Sequence, residues 1–298
     1  MVVCLRSGVP SDSLSSRKNP RGSGMTRVHD QSIASPTETE LHSVGLRFTQ
    51  SGAIAEITLC KPERRNTQQP AMWRAMAALG RTMPTGVQIV VIRAEGRSFS
   101  AGLDRSSLNG LDRSTPSDDP GAETLTSLLA GTDLTIERAI RDYQDAFMFL
   151  RDPSFISIAA VQGHAVGAGF QLALACDLRI VADDAVFCMK EAALGLVPDL
   201  TGLAPLVRQV GYGRALEICV RARNVNAREA VALGLAHSMV PADDLNDEVR
   251  AWAESLLLAN PDAARETKKL LQSAEISELG HQRELEAAAQ VRRLRALG

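Results

Sequence analysis

Two carboxylates and two glycine turns are the residues of this chain whose types and spacing suit proton chemistry beside an anion. Glu191 opens the stretch EAALGLVPD, and Asp199 stands eight residues beyond it. Upstream, GHAVGAGFQLA sets Gly167, Ala168 and Gly169 just before an apolar helical run. RSFSAGLDRSSL sets Ala101, Gly102, Leu103 and Asp104 after an apolar strand. A chain that turns at glycine into a helix leaves N–H groups unpaired and aims the positive end of the helix dipole at whatever lies in front. The second turn frees donors at the C-terminal end of a strand, the edge where α/β sheets bind ligands. Such donors suit an oxyanion, and the two carboxylates would supply the acid or base. Each such donor is worth roughly 3 kcal/mol to a developing oxyanion.

The elements that must position these groups are readable from periodicity. VGLRFTQ and AIAEITLC alternate apolar and polar residues around Ser51-Gly52 and predict a β-hairpin. The loop PERRNTQQ follows, then a helix over PAMWRAMAALGRTM with a proline in its first turn, then a buried strand over VQIVVIRAE. Residues 105 to 135 form a long Gly-, Pro-, Ser-, Asp- and Thr-rich run, expected to wall a pocket as a loop. IERAIRDYQDAFMFLRD predicts a helix leading into the strand at Ser157. Strands then alternate with helices to about Val240, which predicts a mostly parallel, layered α/β core over residues 43–240. Residues 241–298 read as helices alone, lying on their own core or on a neighbouring subunit. Residues 1 to about 42 lack apolar periodicity and are expected to be a disordered extension. The low acidity of the first 29 residues would also suit a transit peptide, and Met25 offers an alternative start.

Composition narrows the function classes. The chain has 298 residues, is 45% hydrophobic and carries a formal net charge of -2, which gives no basic surface for nucleic acid. No stretch is long and apolar enough for a bilayer span. Five scattered cysteines without a C-x-x-C pair and five isolated histidines suggest neither a disulfide framework nor a metal site; a reducing cytoplasm is expected. The glycine turns match neither a phosphate loop nor a dinucleotide fingerprint. Read singly, each site residue has a plainer role: Glu191 as a surface residue at a strand end, Asp199 as the N-cap of the following helix, Arg64 and Arg65 as a solvated pair.

Taken together, FSAGLD, AVQGHAVGAGFQLALACDLRIV and EAALGLVPD resemble the crotonase, or enoyl-CoA hydratase/isomerase, family, from roughly Val44 to the C-terminus. The resemblance implies an α/β fold, a spiral of ββα turns with a C-terminal helical region, assembled as a homotrimer or a dimer of trimers. It implies an acyl-CoA substrate, no metal and no further cofactor. The backbone N–H groups of Leu103 and Ala168 are implied as the oxyanion hole and Glu191 and Asp199 as the catalytic acids. Arg64, Arg65, Ala101, Asp104, Gly167 and Gln171 are implied as substrate- or CoA-binding positions. Family hydratases hold their water between two glutamates twenty residues apart. Here the first is Gln171, which can hold a water but cannot exchange a proton at neutral pH. The acid at Asp199 is similar to that of the family's isomerases of conjugated double bonds. The expected activity is therefore double-bond isomerisation of an enoyl- or dienoyl-CoA. Hydration with Asp199 as second acid/base, and non-catalytic acyl-CoA binding, are the alternatives.

Overall fold

The computed structural model describes residues 34–104, 128 and 130–298. Residues 1–33 of the expected extension and 105–127 of the expected loop lie outside the described residues. The first element corrects the reading of the extension at its end. Helix α1 (Glu38–Ser43) starts on a capping box in which Thr37 Oγ1 accepts from Glu40 N–H and the Glu40 carboxylate accepts from Thr37 N–H, and it buries Leu41 in the core.

The hairpin β1 (Leu46–Ser51) and β2 (Ile54–Leu59) forms antiparallel about Ser51-Gly52, as the alternation predicts. Helix α2 (Pro70–Arg81) begins on its proline and buries Met72, Trp73, Met76 and Leu79. The strand β3 (Ile89–Ala94) pairs in parallel with β2. Helix α3 (Asp133–Met148) begins three residues before the expected Ile136, because Thr132 caps it by accepting from Thr135 N–H. Its Tyr143 and Phe147 pack on Trp73 of α2, with ring centroids 5.1 and 6.1 Å away.

Next come β4 (Ile156–Val161), the short β5 (His164–Val166), helix α4 (Ala168–Ala175), β6 (Leu178–Ala182) and β7 (Val186–Cys188). After the acidic stretch lie α5 (Leu203–Val210), α6 (Tyr212–Arg221), β8 (Asn224–Asn226), α7 (Ala227–Ala232) and β9 (Ser238–Val240). Six strands form one sheet in the order β1-β2-β3-β4-β6-β9, parallel except for the hairpin. A second sheet, β5-β7-β8, stands beside it.

The large sheet is covered on both faces, which explains why its central strands read as continuous apolar runs. Val90 and Ile92 of β3 and Ala159 and Val161 of β4 face the core shared with α2, α3 and α4. Their neighbours Ile89, Val91, Ile158 and Ala160 face the other way and meet Leu245, Val249 and Ala253 of α8 (Leu245–Leu257). The first C-terminal helix thus lies on its own sheet. Helix α9 (Pro261–Ala274) is pinned to the same body: Lys268 Nζ donates to Phe155 O at 2.7 Å and to Asp177 Oδ2 at 2.6 Å, and Gln272 Nε2 donates to Arg151 O. Helix α10 (Leu279–Arg295) packs on α9. Ala34–Gly298 is one compact unit. None of the described helices is long and apolar enough to cross a membrane.

Candidate active site

Helix α4 is the support on which the site is built. All eight of its residues are buried, so its direction is fixed by packing on every side. At its C-terminal end the buried Arg179 guanidinium donates to the carbonyls of Ala173 and Cys176, and also to Leu235 O. Burial pushes this guanidinium down to about 10, still charged at neutral pH, so a cation sits at the negative end of the helix dipole. At the other end no side chain caps the helix. The turn into it runs through Gly167, whose φ of 52° with ψ of -117° is a conformation that only glycine adopts readily. Ala168 N–H, the first of the helix, has no hydrogen-bond partner among the described residues.

The second turn is docked against the first. A methyl group at Gly102, whose φ is +86°, would lie 2.4 Å from Val166 O and 3.5 Å from Ala168 N. Leu103 pairs with Gln68 through its neighbours: Gln68 N–H donates to Gly102 O and Asp104 N–H donates to Gln68 O, both at 2.8 Å. That alternation turns the N–H of Leu103 itself away from Gln68, and it too has no partner among the described residues. Two backbone donors without a partner among the described residues therefore stand on turns that pack against each other.

A buried polar network that sequence reasoning missed holds this turn. Trp73 Nε1 donates to Gln68 Oε1 at 2.8 Å, and Gln68 Nε2 donates to Ser100 Oγ at 3.1 Å. Ser100 Oγ then donates to Asn66 O and accepts from Gly102 N–H. Asn66 Nδ2 donates to the carbonyls of Glu95 and Ser98. Asn66, Gln68 and Ser100 are fully buried, although each stands in a stretch that reads as a polar loop.

The two carboxylates differ in burial. Glu191 begins a short 3-10 turn (Glu191–Leu194) and is only 8% exposed, which removes the surface reading. Its Oε1 accepts from Gln171 Nε2 at 2.7 Å and would be 3.3 Å from a methyl group on Gly167. Its Oε2 is buried and has no hydrogen-bond partner among the described residues. Burial raises the carboxyl's pKa above the ordinary glutamate range and the Asp199 charge adds to this, outweighing the opposing donors of its own backbone, Gln171 and Lys190. Asp199 is half-buried, and desolvation raises its pKa as well. It does not cap a helix: α5 begins at Leu203 on Gly202, with no side-chain cap.

The remaining expected residues divide. Gly167 and Ala101 stand in the two turns, Ala101 N–H donating to Arg65 O. Arg64 and Arg65 are exposed at the rim. Two positions expected to meet substrate are engaged within the protein. The buried Asp104 carboxylate accepts from Arg64 Nη2 at 2.9 Å and Thr67 Oγ1 at 3.0 Å, clasping the Arg64 loop to the turn. Gln171 is 1% exposed and points into the protein: Nε2 donates to Glu191, and Oε1 accepts from Leu200 N–H at 2.9 Å and Gly202 N–H at 3.3 Å. Its amide thus links Glu191 to the Leu200–Gly202 segment.

Comparison with known proteins gives the family and the fold. The pattern of the family described as Enoyl-CoA hydratase/isomerase matches residues 49–295. The chain belongs to the enoyl-CoA hydratase/isomerase family. It is 31% identical over 246 residues to a probable enoyl-CoA hydratase of Rhodobacter capsulatus, covering 82% of this chain and 88% of that protein. It is also similar to solved structures of a Thermobifida fusca protein named a "putative enoyl-CoA hydratase". One, in complex with acetoacetyl-CoA, has 45% identity and a TM-score of 0.82, covering 88% of this chain and all of that one. Another, in complex with CoA, has 44% identity and a TM-score of 0.81 over 89% of this chain and 98% of that one.

Proposed function

We propose that this family member isomerises a double bond of an enoyl- or dienoyl-CoA. The observation that carries the reading is the buried Glu191 Oε2, without a hydrogen-bond partner among the described residues, beside the Gly167 turn, with a second raised carboxyl, Asp199, whose charge acts on it. A buried carboxylate oxygen left without a donor is costly unless a ligand completes it. An acyl-CoA thioester would place its carbonyl oxygen between Leu103 and Ala168 N–H. This suits the CoA-bound state of the similar Thermobifida fusca protein. Glu191 takes the proton from the carbon beside the thioester, and the electron pair moves into the enolate held by the two N–H groups. As the enolate collapses, the double bond shifts and protonated Asp199 gives its proton to the far carbon. Substrate and product have one formula; Glu191 gains a proton, Asp199 loses one, and solvent resets the pair. The raised pKa values keep both carboxyls nearer the range in which either form is accessible.

Asp199→Asn tests the division of labour. Product formation is expected to fall about 100-fold or more, as for loss of a general acid, while deuterium exchange at the near carbon continues within a few-fold of wild type. Equal loss of both would remove Asp199 from proton delivery. Hydration is the second reading, favoured by the names of the relatives but not by Gln171, whose carbonyl oxygen is held by Leu200 and Gly202 rather than turned to a water.

The same reading puts the protein in the cytoplasm as a homotrimer or a dimer of trimers. The exposed Tyr212, Leu216 and Val220 of α6 are side chains that a subunit contact would cover. A monomer by sedimentation would contradict that assembly.

A further inference from the structure

The segment that carries Asp199 has almost no structure of its own. From Val197 to Thr201 no backbone–backbone hydrogen bond is made among the described residues, and Thr201 sits at a φ of +67°, an outlier for a β-branched side chain. Yet the peptide unit between Asp199 and Leu200 is gripped at both polar ends. Gln144 Nε2, from α3, donates to Asp199 O at 2.7 Å. Leu200 N–H donates to Gln171 Oε1 at 2.9 Å, and the other end of that same amide donates to Glu191 Oε1 at 2.7 Å. One side chain on α4 thus ties Glu191 to the Asp199 segment, and a second on α3 holds that segment from the opposite side.

We propose that Gln144 is a positioning residue: with Gln171 it clamps the Asp199–Leu200 peptide and so fixes where the Asp199 carboxyl stands relative to Glu191. The inference rests on the isomerase reading above for its kinetic consequence, but not for the clamp itself. Gln144 touches no reacting atom. A helix-borne amide that places a general acid through its backbone affects one proton transfer and spares the other, and a displacement of about 1 Å is enough to cost on the order of 100-fold in rate.

The test is Gln144→Leu, with Gln144→Glu, which cannot donate when ionised, as the second variant should the first fail to fold. Two quantities are read. The first is the ratio of near-carbon deuterium exchange to product formation from a dienoyl-CoA: kcat for product is expected to fall about tenfold, with KM and exchange within about twofold of wild type. The second is the titration of Asp199 followed by 13Cγ chemical shift in the free enzyme, where Glu191 is the charged group facing it. In the wild type Asp199 titrates above the ordinary range because it is held half-buried; in the variant it should move down as the freed segment lets the carboxyl reach solvent. An unchanged Asp199 titration overturns the clamp. A parallel fall in exchange and product overturns its selective role. If the wild type isomerises nothing, the proposed function fails, while the titration still decides the clamp.

Discussion

Glu191→Gln is expected to lower both double-bond isomerisation and proton exchange beside the thioester by about 1,000-fold, roughly 4 kcal/mol of barrier, the middle of the range for losing a general base. The substitution isolates proton transfer because the new amide oxygen can still accept from Gln171 Nε2 and the side chain fills the same space. Stability should not fall, since a buried charged form gives way to a neutral one. The wild-type pH profile makes a linked demand. If ionised Glu191 is the base, kcat/KM declines as pH is lowered through its pKa, and because burial raises that pKa the acid limb lies above the ordinary glutamate value of 4.5. Activity of the folded variant within tenfold of wild type would assign the proton to another group.

Gly102→Ala should be nearly as damaging, although it removes no functional group. The added methyl would meet Val166 O at 2.4 Å from a backbone already at a φ of +86°, so the turn must move and carry the Leu103 N–H with it. Misplacing one oxyanion donor is expected to cost about 100- to 1,000-fold in kcat. Because the change lies between two turns, the melting transition and the Glu191-dependent steps can be read separately. A variant that melts like the wild type and turns over at the wild-type rate would show that this N–H does not face the reacting oxygen. Leu103→Ala, which keeps the backbone, should be much milder.

These two expectations draw on parts of the molecule that are unequally legible in the sequence. Hairpin alternation, the proline at the start of α2 and the apolar runs of β3 and β4 each report a local preference that the tertiary structure keeps. The two carboxylates are picked out by a different signal: the twenty residues from Gln171 to Glu191 and the eight from Glu191 to Asp199 belong to a constellation, whereas each residue alone invites the plain surface or N-cap reading that the burial of Glu191 and the start of α5 at Leu203 remove. Helix α1 carries a Thr37-Glu40 capping signature, but six residues in a polar terminal stretch offer too little periodicity to display it. Asn66, Gln68 and Ser100 are illegible as buried groups, since their burial depends on two loops more than thirty residues apart coming into contact. Gln171 reads in sequence as a side chain able to hold a water. Its partners Leu200 and Gly202 lie about thirty residues away, so no local rule could show that its amide is already engaged.

The central claim, that proton transfer between two carboxylates shifts a double bond, is tested most directly by incubating the wild-type protein with 2-enoyl-, 3-enoyl-, 2,4-dienoyl- and 3,5-dienoyl-CoA in deuterated water and reading the products by mass. The account predicts conversion of 3-enoyl- or 3,5-dienoyl-CoA into a conjugated isomer of unchanged formula carrying solvent deuterium. Efficient addition of water to 2-enoyl-CoA, with the 3-enoyl and dienoyl thioesters left untouched, would contradict it.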